Sequence, residues 1–189
     1  MYKIGIIGHT FEEIDNLEKT TRLLYNTIEL LNHQYSGNEF GESNLILNLG
    51  AERGLELLAG EYCLEKKIRC HLFLPCKPEI FADDTWFDDQ RNKFNKQFNN
   101  AFSATICSSA SVKKVADEIS RDKLLVNDSN FVVYFWSGKK AGRVYESMIY
   151  ALNTNKIVLS GTDNLKLITN DDLRKGTKWK TNSITKNQM

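Results

Sequence analysis

Apolar, strand-like runs alternate with helix-like segments along nearly the whole chain, and this alternation constrains the fold more than any other feature. The strand-like runs lie at residues 2–8, 45–50, 68–75, 103–107, 130–136 and 156–160. The helix-like segments lie at residues 12–31, 51–67, 86–101, 111–128 and 141–153. Such alternation predicts parallel strands joined by right-handed crossovers, with helices on both faces of the sheet. We therefore predict an α/β fold, a Rossmann-like three-layer sandwich with a mostly parallel sheet.

The length of the chain suits one domain. Its 189 residues are enough to bury a single core, and no internal repeat or linker interrupts the pattern. We predict one Rossmann-like domain at residues 1–161, followed by a polar C-terminal tail at 162–189. A formal net charge of +1 and the lack of a long apolar run argue against bulk attraction to membranes or nucleic acid. A cytoplasmic protein with no membrane or nucleic-acid partner is expected.

The cysteines do not predict a metal site. They show neither paired C-x-x-C spacing nor a nearby histidine pair, and they are Cys63, Cys70, Cys76 and Cys107. We expect reduced thiols, several of them in the core, and we predict no metal and no cofactor.

Three of the predicted strands end at glycines. The first is followed by Gly8, His9 and Thr10, the second by Gly50 and Gly54, and the fifth by Gly138 and Gly142. Glycine lets backbone amides approach an anion closely, and the start of a helix adds unpaired N–H groups and a partial positive charge. In parallel sheets, ligands bind beyond the carboxyl ends of the strands. The three glycine turns together therefore predict an anion-binding edge.

Each glycine turn taken alone is also compatible with a simple turn. Neither G-x-G-x-x-G nor the P-loop motif is present. Lys139, Lys140 or Arg143 could add a charge-assisted bond to a phosphate, or the two lysines could belong to a solvated turn. His9 could act as a general base, or it could be structural.

Several stretches resemble one protein family. They are "KIGIIGHT", "LNLGAERGLELLAGEYCLEKKI", "LPCKPEIFADDTWFDDQRNKF" and "SRDKLLVNDSNFVVYFWSGKKAGR". In their order and spacing they resemble the Smf/DprA–LOG (SLOG) superfamily of Rossmann-like nucleotide-binding proteins, and most of all its YpsA-like branch. The resemblance spans about residues 3–159. The sequence departs from the branch at Thr10, where arginine is usual, at Ser137, where aspartate is usual, and at Arg143, where threonine is usual.

The resemblance implies further site residues. Glu56 stands near the place of a family aspartate, Ser137 belongs to the family's Trp-Asp-Gly loop, and Arg121 beside Asp122 would bind phosphate or a base edge. A surface arginine on an amphipathic helix is the alternative for Arg121. Of the phosphoribohydrolase motif Pro-Gly-Gly-x-Gly-Thr-x-x-Glu, only Gly142 and Glu146 are retained.

Two classes of function follow from these residues and from the resemblance. The favoured one is a binding protein for a small nucleotide or nucleotide-derived signal, which would act as a sensor, sequestering protein or regulatory module. The alternative is an N-glycosidic hydrolase or transferase acting on nucleoside monophosphates, with Glu146 as acid or base. Single-stranded DNA binding is a third and weaker hypothesis. A homodimer is what the resemblance implies.

Overall fold

The computed structural model describes residues 1–35, 44–83, 85–108 and 115–175. Within these residues, the strands are β1 (Tyr2–Gly8), β2 (Leu45–Leu49), β3 (Arg69–Leu74), β4 (Ser103–Ile106), β5 (Phe131–Phe135), β6 (Ile157–Ser160) and β7 (Lys166–Leu167). The α-helices are α1 (Leu17–Tyr35), α2 (Leu55–Lys66), α3 (Pro78–Phe81), α4 (Asp88–Asn100), α5 (Val115–Asp128), α6 (Arg143–Asn153) and α7 (Asn170–Lys175).

The strands form one sheet in the order β4-β3-β2-β1-β5-β6-β7. All neighbouring pairs from β4 to β6 are parallel, and β7 pairs antiparallel with β6. Every residue of β2 is buried, as is typical of a strand that helices cover on both faces. The predicted α/β sandwich with a mostly parallel sheet is confirmed.

Two hydrophobic cores lie on opposite faces of the sheet. One forms beneath α1, α2 and α4, and the other beneath α5 and α6. In α1, the buried residues Leu24, Ile28 and Leu31 recur every three or four positions, so one face of the helix packs on the sheet. Among the described helices, none is both long and apolar enough to cross a membrane.

Some element boundaries differ from those predicted from the sequence. The segment predicted as one helix at 12–31 is a 3-10 turn (Phe11–Glu13) followed by α1, which begins at Leu17. The reason is a helix cap, because the side chain of Asn16 accepts the amide N–H of Lys19 at 2.9 Å. Beyond Gly161, where a polar tail was predicted, the structure contains β7 and α7, and residues 176–189 lie outside the described part of the chain.

The order in which strands are added to the sheet changes side at β1. Strands β1 to β4 build outward on one side, and β5 then pairs with β1 on its other side. The carboxyl ends of β1 and β5 therefore flank a topological switch point, which is where ligands bind in open α/β sheets.

Candidate functional site

Side chains of the protein itself lie at this switch point. The guanidinium of Arg143, in the first turn of α6, lies across the end of β1. Its Nη2 donates to the Gly8 carbonyl at 2.7 Å and to Glu56 Oε1 at 2.9 Å, and its Nη1 donates to Asp122 Oδ2 at 2.8 Å. The side chain of Arg143 is therefore committed to internal partners.

Arg121 lies deeper and is completely buried. Its Nη1 donates to the Gly50 carbonyl at 2.9 Å and lies 3.6 Å from Glu52 Oε2, while its Nε donates to Asp122 Oδ1 at 3.0 Å. A contact between Arg121 and a phosphate was predicted, but no atom of the guanidinium is exposed to a ligand. The same holds for Asp122 and Glu56, whose carboxylates are also buried.

These groups form a buried charge cluster, which consists of Glu52, Glu56, Arg121, Asp122 and Arg143. Burial by itself would lower the pKa of Arg121 and of Arg143, but the surrounding carboxylates, Asp122 first, raise both pKa values above the ordinary value. Both guanidinium groups are therefore charged. The cluster contains two guanidinium groups and three carboxyl groups, so its formal net charge is −1, which does not favour an anion inside it.

The glycines that follow β1 and β2 are explained by packing within the protein. A Cβ on Gly8 would lie 2.9 Å from Leu55, and one on Gly50 would lie 2.3 Å from Glu56 Oε2. At Gly54, which has φ +133°, a Cβ would lie 2.3 Å from the His9 carbonyl oxygen and 2.6 Å from the Cα of half-buried Thr10. Gly8, Gly50 and Gly54 thus allow two turns of the chain to pack closely together.

The backbone around the start of α2 already has hydrogen-bond partners inside the protein. The N–H of Leu55 donates to the His9 carbonyl at 3.2 Å. The carboxylate of Glu56 accepts the amides of Gly8 at 3.3 Å and of Glu52 at 3.4 Å. The amino end of α2 is therefore closed by the protein.

The amino end of α6 differs. It is preceded by residues 137–142, named here the α6 loop, in which Gly138 has φ +91° and Gly142 has φ +86°. In the described part of the chain, no side chain caps α6 and nothing lies within 4 Å of the Cβ position of Gly142. Ser137, Lys139 and Gly142 are exposed. The first amides of a helix have no partner inside that helix, so those of α6 are available to a ligand.

His9 connects the end of β1 to the α6 loop. Its Nε2 accepts the amide N–H of Ser137 at 3.0 Å, and its Nδ1 lies 3.1 Å from Glu13 Oε2. Burial lowers the pKa of His9 below its ordinary value, although Glu13 acts in the opposite direction. A proton-abstracting role for His9 would require loss of the bond to Ser137.

The remaining predicted residues are placed as follows. Glu146 lies one turn into α6 and is exposed, with its amide bonded to the Gly142 carbonyl at 3.0 Å, and its catalytic role stays a prediction. Glu52 was not predicted as a site residue, although its spacing of four residues from Glu56 is a signal for a pair of carboxylates at one helix start. Trp136 was not predicted either, and its indole N–H donates to the Lys139 carbonyl at 2.7 Å.

No protein-family model matches this sequence, and no curated protein matches it. Several solved structures are similar in fold, and three of them are the following. DNA processing protein A (DprA) from Streptococcus pneumoniae has a TM-score of 0.62 and 10% identity, covering 84% of this chain and 50% of its own. DprA from Helicobacter pylori, solved for its single-stranded DNA binding mode, has a TM-score of 0.64 and 16% identity, covering 93% of this chain and 73% of its own. The protein TM1055, from a structural genomics consortium, has a TM-score of 0.54 and 13% identity, covering 92% of this chain and 89% of its own.

These structures share the fold of this chain, and they confirm the predicted Rossmann-like α/β architecture. The chain spans about half the length of the Streptococcus pneumoniae protein. The expectation that nucleic acid is not a partner is wrong, since a protein of this fold is described as binding single-stranded DNA. That expectation came from a net charge near zero, which averages over the whole surface and does not describe one loop.

Proposed function

We propose that this chain is a binding protein for a nucleotide, and that it holds a phosphate of the ligand at the amino end of α6. One observation carries the proposal. Within the described residues, the start of α6 has no side-chain cap, its N-cap Gly142 is exposed, and open space lies beside Gly142. The helix supplies a partial positive charge and N–H donors directed at an anion.

The side chains of the α6 loop fit the same ligand. Lys139 and Lys140 are exposed and adjacent, and each can reach a phosphate that sits on the loop. Arg143 contributes its backbone amide, because its guanidinium binds Gly8, Glu56 and Asp122. The residues that we place at the ligand are therefore Ser137, Gly138, Lys139, Lys140, Gly142 and the amide of Arg143.

The charge cluster below the loop sets the depth of the site. Its formal net charge of −1 and the ion pairs that its carboxylates already make with Arg121 and Arg143 oppose entry of a phosphate beneath the loop. A ligand held at the loop surface has its sugar and base exposed to solvent or lying along α6. This arrangement supports a binding or sensing role.

Single-stranded DNA is the second candidate, and the similarity in fold to the Helicobacter pylori DprA favours it. A free nucleotide and a DNA strand share one chemical group, the phosphate ester, so the same loop suits both. The two differ in length and charge. When a protein contacts several phosphates of a single strand, the logarithm of the binding constant falls steeply with the logarithm of the salt concentration. The slope is about −0.7 for each phosphate contacted.

Calorimetry with two probes tests the proposal. The probes are ADP-ribose and a short oligodeoxythymidylate, and the variant is the double substitution Lys139→Gln and Lys140→Gln. We expect affinity for the preferred probe to fall about tenfold, since each charge-assisted bond contributes about 1.5–3 kcal/mol when shielded and less at the surface. Preference for ADP-ribose with a shallow salt slope supports a free nucleotide, and the reverse supports DNA.

A matched pair of lysines serves as the control. Lys66 and Lys67 are also adjacent and exposed, but they lie at the end of α2, at the opposite edge of the sheet. Replacing both with glutamine should leave affinity unchanged. Equal losses in both double variants, or no binding of either probe by the unmodified protein, would overturn the proposal.

A further inference from the structure

The hydrogen bonds of His9 fix its tautomer. The backbone N–H of Ser137 can only donate, so His9 Nε2, at 3.0 Å, must carry a lone pair. The ring proton of neutral His9 then sits on Nδ1, where it donates to the Glu13 carboxylate at 3.1 Å. Because a protonated imidazole carries a hydrogen on both nitrogens, it cannot accept from Ser137.

Ser137 is the first residue of the α6 loop, so this bond acts where the loop leaves the sheet. Trp136, which is buried, provides the second attachment by donating its indole N–H to the Lys139 carbonyl at 2.7 Å. Its ring stacks on Tyr145 in the first turn of α6. Within the loop, the Lys139 amide lies 3.5 Å from Ser137 Oγ. The indole bond and the bond to His9 are thus two attachments of the loop to the residues that follow β5 and β1.

We propose that His9 is a latch, and that its unprotonated Nε2 holds the α6 loop in the conformation that presents the amino end of α6. This inference rests on the proposed function, because it assigns the control of that same site. His9 is a positioning residue here. Protonation of its ring breaks the bond to Ser137 and so frees the first residue of the α6 loop from His9.

The charged groups around His9 agree with a neutral ring. Glu13, from the 3-10 turn after β1, favours the protonated form, while Arg143 of α6 and Lys139 of the loop oppose it. From α2, the contact is the uncharged amide of Leu55, which donates to the His9 carbonyl. Burial of the ring is the largest effect and also opposes protonation, so the latch is closed near neutral pH and opens as the pH falls.

The first test measures the tautomer of His9 in the unliganded protein. Nitrogen-15 NMR of the imidazole rings near neutral pH should show His9 with its proton on Nδ1, and the exposed ring of His33 gives a reference in the same spectrum. A proton found on Nε2, or a charged ring at neutral pH, would overturn the proposal. This test requires no ligand.

The second test uses two substitutions of His9. In His9→Gln, a side-chain oxygen can still accept from Ser137 but does not titrate, whereas His9→Leu offers no acceptor. Hydrogen exchange of the Ser137 amide, corrected for intrinsic rates, should become about fivefold faster in His9→Leu and stay near the wild-type value in His9→Gln. The amide of Gly161, bonded to the Tyr134 carbonyl, is the control and should not change.

The same variants link the latch to the ligand. Near neutral pH, the wild type and His9→Gln should bind ADP-ribose with similar affinity, and His9→Leu should bind it more weakly. If the wild type binds no ADP-ribose, the proposed function fails in that form, while the tautomer and the exchange rates still decide the latch. If Ser137 exchanges equally in all three proteins, the latch is overturned even where the ligand binds.

Discussion

Helices α2 and α6 both begin at a glycine after a buried parallel strand, yet one start is closed and the other is open. At α2, the Glu56 carboxylate accepts the amides of Gly8 and Glu52 and pairs with Arg143. That carboxylate does what a ligand phosphate would do at such a place. At α6, the space beside Gly142 is empty of described residues. A glycine after a strand thus indicates a close approach, but not whether protein or ligand makes it.

The largest effect on stability is expected when the charge cluster at the closed amino end of α2 is disrupted. Arg121→Ala would remove the cation beside buried Glu52 and leave buried Asp122 with Arg143 alone, so the free energy of unfolding should fall by about 3–5 kcal/mol. Urea unfolding measures this change. Arg53→Ala is the matched control. Arg53 is partly exposed and pairs with exposed Glu12 at 3.3 Å, so its loss should cost less than about 1 kcal/mol.

Equal costs for the two arginine substitutions would show that the cluster is hydrated and does not close the α2 end. An Arg121→Ala protein that is as stable as the wild type but binds ADP-ribose more tightly would be still more informative. It would mean that the cluster excludes ligand from a second site.

A smaller effect distinguishes the two glycines. Gly54→Ala adds a Cβ 2.3 Å from the His9 carbonyl oxygen at a backbone conformation that suits glycine, so it should cost about 2–4 kcal/mol. Gly142→Ala has a similarly strained backbone but open space, and should cost about 1–2 kcal/mol. Urea unfolding of both variants gives the comparison. If Gly142→Ala were the more costly, the α6 end would be packed rather than open.

The fold could be predicted because its signal is local. Each buried strand is a short apolar run, each helix shows its own period, and the order of the two fixes a parallel sheet. The boundaries were less accurate because they depend on caps, as Asn16 shows at α1. The segment after Gly161 reads as polar, and its buried residues, Ile168 and Leu173, are too few to produce a period.

The site could be predicted only as a set of positions. The glycine turns do lie at one edge of the sheet, and Glu56, Arg121, Asp122 and Arg143 do meet there. Their pairing with one another could not be predicted, because the partners are far apart in sequence and a buried cation can satisfy a ligand or a carboxylate equally well. The pairing of Arg143 with Glu56, 87 residues away, is the clearest case. His9 had one local signal, Glu13 at the i+4 position.

The smallest expected effect concerns His9, the latch that connects the end of β1 to the α6 loop. Because its pKa in the folded protein is lowered, chiefly by burial, its stabilising contribution is complete above the unfolded value of about 6.5 and is lost as the pH falls through the folded value. His9→Gln has no titrating group at this position, so its free energy of unfolding relative to the wild type should rise on acidification. Urea unfolding of both proteins from about pH 7.5 to about pH 5 measures the difference. A constant difference would mean that His9 does not titrate differently on folding, and the contrast between a latched α6 loop and a permanently closed α2 end would then lose its pH dependence.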